Sequence, residues 1–192
     1  METETNKRQK EALYDWVHML VCSVVAAVLL FTFGIRLILV DGESMRETLQ
    51  HQDTLLVIND WLCGNYEAGE IVILAKPTFE DGAPIVKRVI ATAGQTVDID
   101  FEIGAVYVDG KELHEDYIRE LTLTPEGVEF PITLEEDEIF VLGDNRNESS
   151  DSRHPDLGPI DTRYVLGRAV FLLVPGKSAD LDKREWNRIG LV

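Results

Sequence analysis

Three short stretches of this 192-residue chain carry side chains capable of covalent chemistry. The first, Asp41-Gly42-Glu43-Ser44-Met45-Arg46-Glu47-Thr48-Leu49, sets a serine in a turn-like break after the apolar run Leu37-Ile38-Leu39-Val40. The second, Val86-Lys87-Arg88-Val89-Ile90, sets a lysine inside an apolar strand. The third is the polar stretch Gly143-Asp144-Asn145-Arg146-Asn147-Glu148-Ser149-Ser150-Asp151-Ser152-Arg153. A serine hydroxyl is a weak nucleophile until a base removes its proton. Histidine is the usual base, yet His18, His51, His114 and His154 are scattered and none sits in a motif. Lys87 is better placed, because alternate strand residues share a face and its neighbours there are Ile85 and Val89. Burial against such groups disfavours the ammonium and lowers its pKa towards working pH. Arg88 points the other way and stays protonated. Alone, a turn serine usually bonds backbone and a strand lysine usually snorkels from an edge. Together, the three stretches suggest a serine nucleophile with a lysine base, held at the outer face of a membrane.

The third stretch adds weight. Asp144, Arg146, Asp151 and Arg153 alternate in sign, which suggests a salt-bridged scaffold, and Ser149 is placed to hydrogen-bond the lysine amine and turn it towards Ser44. The alternative is a merely structural Asx-rich turn. The acidic spacing and the missing central glycine do not fit a calcium loop, and a phosphate loop would need Gly-Lys-Ser/Thr. There is no Cys-x-x-Cys, His-Glu-x-x-His or His/Cys cluster, so neither a metal nor another cofactor is expected.

These groups need elements to position them. Residues 1–15 are polar and mixed in charge and read as a short tail entering a helix near Lys10. From Trp16 to Ile35 the chain is almost continuously apolar, and twenty helical residues rise about 30 Å, the thickness of a bilayer core. Residues 16–36 are therefore expected to be a retained transmembrane anchor. A buried core helix would show a polar face, and a cleaved leader would have a shorter apolar core with a small-x-small site after it. Lys7, Arg8 and Lys10 on one flank, against Arg36 and then Arg46 on the other, favour a cytoplasmic N-terminus.

Residues 37–192 read as one mainly β, extracytoplasmic domain: two packed antiparallel sheets or a partly closed barrel. Short Val/Ile-rich runs between turn residues predict strands at 37–41, 54–59, 70–76, 84–91, 96–101, 105–108, 127–133, 138–142 and 163–174. The net charge of −17 excludes the basic patches that nucleic acid requires. Cys22 lies in the apolar run and Cys63 well beyond it, so no disulfide is expected. Trp61-Leu62 and the C-terminal segment 185–192 are expected to pack on the domain.

The order of the motifs resembles that of the type I signal peptidases, the bacterial Ser/Lys leader peptidase family. That order is a membrane anchor, Gly-x-Ser-Met-x-x-Thr-Leu, a Gly-Asp/Glu-x-Val strand, Lys-Arg-Val, then Gly-Asp-Asn-Arg-x-x-Ser-x-Asp-Ser-Arg. Here these are Gly42 to Leu49, Gly69-Glu70-Ile71-Val72, Lys87-Arg88-Val89 and Gly143 to Arg153, and the likeness runs from the anchor to about Gly167. The resemblance implies a β domain resting on the membrane that removes signal peptides from exported preproteins after Ala-x-Ala. It makes Ser44 the nucleophile, Lys87 the general base and Ser149 the residue orienting the lysine. Asp151 and Arg153 become the bracing ion pair, with Asp144 and Arg146 in support. Val40 and Val86 match positions lining the small substrate pockets, and the Ser44 N–H helps form the oxyanion hole.

The same resemblance implies preprotein signal peptides, the lipid bilayer and, transiently, the export machinery as partners, in a single-pass protein of the bacterial cell membrane. There are departures. Glu47 stands where the family often has proline, Ala91-Thr92-Ala93-Gly94-Gln95 replaces a Gly-Leu-Pro-Gly-Asp/Glu run, and Gly42 lacks a hydroxyl that some relatives donate to the oxyanion. Two other readings stay open: a Ser/Lys peptidase with a narrow, dedicated substrate, and a catalytically silent, membrane-tethered binding relative.

Overall fold

The structure, a computed structural model, describes residues 2–177 and 183–192. It divides into two units, one ending at Arg36 and the other running from Leu37 to Val192. In the first, helix α1 spans Glu2–Leu29 and passes into a π-helical turn, Leu30–Gly34. It starts earlier than near Lys10, because the polar segment is mostly Glu, Lys, Arg and Gln, all good helix formers. Leu13–Gly34, with mean hydropathy 2.3, is long and apolar enough to cross a membrane. Ser23 Oγ donates to Met19 O at 2.8 Å, so its hydroxyl is satisfied within the helix.

The rest is built on strands. They are β1 (Ile35–Leu39), β2 (Thr54–Asn59), β3 (Ile71–Leu74), β4 (Ile85–Thr92), β5 (Thr96–Asp100) and β6 (Ala105–Val108), followed by β7 (Lys111–Glu112), β8 (Ile132–Thr133), β9 (Glu138–Leu142), β10 (Ile160–Asp161), β11 (Val165–Val174) and β12 (Gly190–Leu191). A short helix, α2 (Asp60–Cys63), follows β2. The larger sheet has the order β1-β2-β11-β3-β4-β9-β10 with β12 beside β11, and the smaller is β7-β6-β5-β8. Bulges in β4, between Val89 and Ala91, and in β11 curl the larger sheet. The two sheets pack across a core in which Ile90, Phe140 and Leu142 of the larger meet Val97, Ile99, Val106 and Val108 of the smaller. This is the mainly β, two-sheet architecture expected.

The strands at 54–59, 105–108 and 138–142 have the expected bounds. The one expected at 127–133 shrinks to Ile132–Thr133, since Pro131 cannot donate to a ladder and Gly127 turns the chain at φ +114. Strands β7, β10 and β12 have two residues each, too few to show alternation. At the departure after β4, Gln95 N donates to Thr92 O (3.1 Å) across Gly94 at φ +80, so the turn forms without a proline. Cys22 and Cys63 are both free thiols.

Candidate active site

The Ser44 segment is a turn anchored from below. Gly42, at φ +98, adopts the left-handed conformation that a side chain resists. Met45 and Leu49, four residues apart and linked by Leu49 N to Met45 O at 2.8 Å, bury side by side in a core with Val40, Leu55, Ile71 and Ile73. Planting that face inward leaves Ser44 at the surface of a cleft. The far end is tied by buried Asp53, which accepts from Gln50 N (2.7 Å) and Gly176 N (2.6 Å) and pairs with Arg188 (2.7 Å).

Lys87 sits on β4 with Val72 of β3 directly across from it and Ile85 and Val89 on its own face. Only 3% of it is exposed. Burial pushes its pKa below the usual 10.5; Asp151, Glu80 and Glu126 pull the other way, and Arg153 adds to the depression. Strand β9 pairs with β4 only as far as Leu142 opposite Arg88, so the next residue, Gly143, falls beside Lys87. Gly143 has no room for a side chain: a Cβ there would lie 2.1 Å from Ser149 Oγ and 2.5 Å from Ser44 O. Asn145 completes the joint, its N–H donating to Ser44 O (3.0 Å) and its Nδ2 to Glu43 O (3.1 Å).

Behind this joint lies a buried polar network. Asp151 Oδ2 accepts from Ser149 Oγ (3.0 Å), Gly143 N (2.9 Å) and Arg153 Nη2 (2.9 Å), while its Oδ1 accepts from Arg153 Nε (2.8 Å). Asp151 and Arg153 thus form the expected pair. The other two charges do not pair within the loop, which corrects that part of the scaffold. Asp144 takes a fork from Arg88 (2.8 and 2.6 Å) and accepts from Thr48 Oγ1 (2.5 Å). Arg146 reaches Glu115 (2.8 and 2.5 Å) and Thr122 Oγ1 (2.8 Å). Arg88 also donates to Gly69 O (2.7 Å) and lies 4.1 Å above the Tyr117 ring. Burial works against the Arg88 charge, but its bonds to Asp144 outweigh that and its pKa is raised.

Sequence reasoning gave no role to Thr48, Glu115, Tyr117 or Glu126. Glu126 lies 3.3 Å from Arg153 and accepts from Asp151 N (3.3 Å). Three of the four fall in the irregular stretch between β7 and β8, where no periodicity marks them. The one available signal was the length of that stretch, since long loops in compact domains are usually functional.

Ser44, Lys87, Val40 and Val86 all line one cleft of about 710 Å³. No hydrogen bond joins Ser44 Oγ to Lys87 Nζ, and the Ser44 N–H has no acceptor among the described residues. Hydrogen bonds between catalytic groups are often long until substrate binds. Beyond Arg88, the side of β4 facing away from β3 has no ladder partner over Ile85–Lys87 among the described strands, which leaves a free strand edge of the kind that an extended peptide can pair with. The arrangement offers a hydroxyl, a desolvated amine, a free N–H and a strand edge in one space. Those are the parts of an acyl-transfer site.

The chain is similar to known proteins. The family described as Signal peptidase, peptidase S26, matches residues 13–174. Signal peptidase I of Bacillus licheniformis is 34% identical over 91% of this chain and 96% of its own length. Signal peptidase I S of Bacillus subtilis strain 168 is 29% identical over 88% and 94%. A solved signal peptidase I from Enterococcus faecalis V583 is 28% identical, covering 54% of this chain and 96% of its own, with a TM-score of 0.44.

Proposed function

The chain belongs to the signal peptidase family, peptidase S26, whose members are serine endopeptidases, and from that we propose that it cuts signal peptides from exported preproteins with a Ser44/Lys87 dyad. The cleavage region of the preprotein adds as a strand beside Ile85–Lys87, and pockets at Val40 and Val86 accept alanine-like side chains, giving small-x-small selectivity. Neutral Lys87 takes the Ser44 proton as Oγ attacks the carbonyl carbon. The Ser44 N–H donates to the developing oxyanion. The protonated lysine then gives its proton to the departing amine, and water, activated by Lys87, hydrolyses the acyl-enzyme. Ser149, its own proton committed to Asp151, offers lone pairs that orient the lysine amine. The apolar segment Leu13–Gly34 holds the enzyme in the bilayer where its substrates lie, with the N-terminus cytoplasmic and the catalytic domain outside.

The observation that carries this reading is a buried lysine without a hydrogen-bond partner among the described residues, lining the same cleft as Ser44. The full chain in liposomes, given a preprotein, provides the test. Ser44→Ala and Lys87→Ala are each expected to abolish cleavage, and near-normal processing by either refutes the dyad. A serine-directed acylating probe should label Ser44; no labelling at any pH would favour a silent binding relative. A panel of exported precursors separates a general from a dedicated peptidase.

A further inference from the structure

The cleft holding Ser44 and Lys87 has an acidic rim. Asp41, Glu43, Glu80 and Glu148 all line it, and among the described residues Lys87 is the one basic residue of its lining. One of the four carboxylates has a cationic neighbour, Arg46 lying 3.5 Å from Glu43, while Asp41 lies 3.3 Å from the ring of His51, whose Nδ1 accepts from Gly42 N. Glu80 and Glu148 are exposed and have no cation within 4 Å among the described residues.

Glu80 is held in place by its backbone. Glu80, Asp81 and Gly82 are consecutive left-handed residues at φ +48, +55 and +77. Side chains resist that conformation, and the first two positions would be met more easily by glycine or asparagine. The turn is fixed by buried Phe79, by Gly82 N to Phe79 O (2.9 Å) and by Ala83 N to Glu80 O (3.0 Å). Two residues later the open edge of β4 begins. A residue whose backbone is held in a costly turn beside an unpaired strand edge keeps its carboxylate within reach of whatever peptide pairs with that edge.

We propose that Glu80, aided by Glu148, is a specificity-determining residue that makes the cleft favour peptides with a basic side chain next to the scissile bond over peptides with an acidic one. This rests on the cleft being the peptide-cutting site proposed above. Carboxylates on the walls of a cleft focus potential into it, so they attract a ligand cation and repel a ligand carboxylate more than the same charges on a flat surface.

The experiment uses the full chain and a neutral Ala-x-Ala peptide with Lys or Glu placed in turn at three positions on each side of the cleavage site. Affinities are measured with the Ser44→Ala variant, and cleavage with the unaltered enzyme. At low salt the Lys peptide should bind about tenfold tighter than the Glu peptide at one position or more. The ratio should approach one at about 1 M salt, where the screening length is about 3 Å. Glu80→Gln and Glu148→Gln, each added to Ser44→Ala, should lower the ratio about threefold. Glu135→Gln with Glu136→Gln, at the other end of β9, should leave it unchanged. A ratio of one at every position, or a ratio untouched by Glu80→Gln, overturns the proposal. Loss of the preference on neutralising Glu135 and Glu136 overturns it too, because diffuse surface charge would then be the cause. Failure of the unaltered enzyme to cut the neutral parent would count against the dyad instead, while the affinity ratio still decides the rim.

Discussion

Gly143 and Ser149 lie so close that a Cβ on the glycine would come within 2.1 Å of the serine Oγ. The same Cβ would lie 2.5 Å from Ser44 O. Bare backbone is thus the spacer between the turn carrying Ser44 and the loop carrying Ser149. Gly143→Ala must push one of them away, and both are tied down by hydrogen bonds to Asn145 and Asp151. Overpacking of this kind costs about 1–3 kcal/mol. A shift of about 1 Å in reacting groups costs about 100-fold in rate. A denaturant melt and kcat/KM on the same preparation check both. Wild-type cleavage by Gly143→Ala would show that this close approach does not position the site.

The buried amine of Lys87 sets two pH dependences. Its pKa is lowered chiefly by burial, so cleavage should climb with pH and reach its midpoint below 10.5, the ordinary lysine value. A flat rate from acid to neutral would count against Lys87 as base. The stability effect has a definite sign. Above pH 10.5 the amine is neutral in both folded and unfolded chains and there is no penalty. As pH falls below 10.5 the unfolded chain takes up a proton that the folded site refuses, and stability drops by at most about 1.4 kcal/mol per pH unit. The loss stops growing once pH passes below the folded pKa. Lys87→Met, similar in shape and never charged, should therefore be more stable than the unaltered protein at neutral pH, with the gap closing towards pH 10.5. Urea melts across that range measure it.

Much of this was written locally. Along β2, burial alternates residue by residue from Thr54 to Asn59, as the apolar pattern requires. Lys87 stood out because Ile85 and Val89 share its face. Partner choice among buried charges could not be read, because it depends on chain segments brought together from far apart. Arg88 and Asp144 are 56 positions apart, and Arg146 and Glu115 are 31 apart. Sign alternation within the loop therefore suggested internal pairing where only Asp151–Arg153 is internal. Trp61 and Leu62 were expected to pack on the domain, yet they are 66% and 49% exposed. The four-residue helix that carries them turns Cys63 into the core, and Trp61 and Leu62 lie on its other side. The C-terminal segment does dock, through β12 on β11 and Arg188 on Asp53 and on Thr48 O.

The Arg88–Asp144 fork joins five segments, since Arg88 also holds Gly69 O and Thr48 Oγ1 and lies over Tyr117. Both side chains are buried. Asp144→Ala leaves a buried guanidinium without its counter-charge, which costs about 3 kcal/mol or more. Arg88→Lys should recover little, because an ammonium cannot bind both carboxylate oxygens and still reach Gly69 O. Thermal melts of the two single variants and the double variant would measure the coupling. Additive effects would mean that the pair is only incidental to the fold.

The resemblance in motif order would allow a proline at position 47, and the backbone of Glu47 excludes one. Its φ is +91, whereas proline is locked near −65°. Glu47→Pro should lose more than about 1 kcal/mol and loosen the Ser44 turn. Glu47→Gly relieves the left-handed strain and should be tolerated without loss. Equal stability of the proline variant and the unaltered protein would mean that this turn adopts a different conformation in solution.

The irregular stretch between β7 and β8 gains its order from the loop it covers. Arg146 holds Glu115 and Thr122, Arg153 donates to Thr124 O (2.9 Å), and Asn147 binds Leu121 O and Leu123 N (both 3.1 Å). Few apolar side chains from this stretch are buried, so these bonds are its main attachment. Glu115→Gln removes the charge that faces buried Arg146 and keeps the shape. The stretch should then open more readily, while the sheet cores keep their protection. Hydrogen exchange resolves the two: faster exchange over residues 113–126 with unchanged β3, β4 and β9 is expected. Because Glu126 at the end of the stretch braces Asp151 and Arg153, cleavage should fall several-fold without a matching fall in the global melt. Uniformly faster exchange through both sheets would instead make the Arg146–Glu115 pair a support of the whole domain.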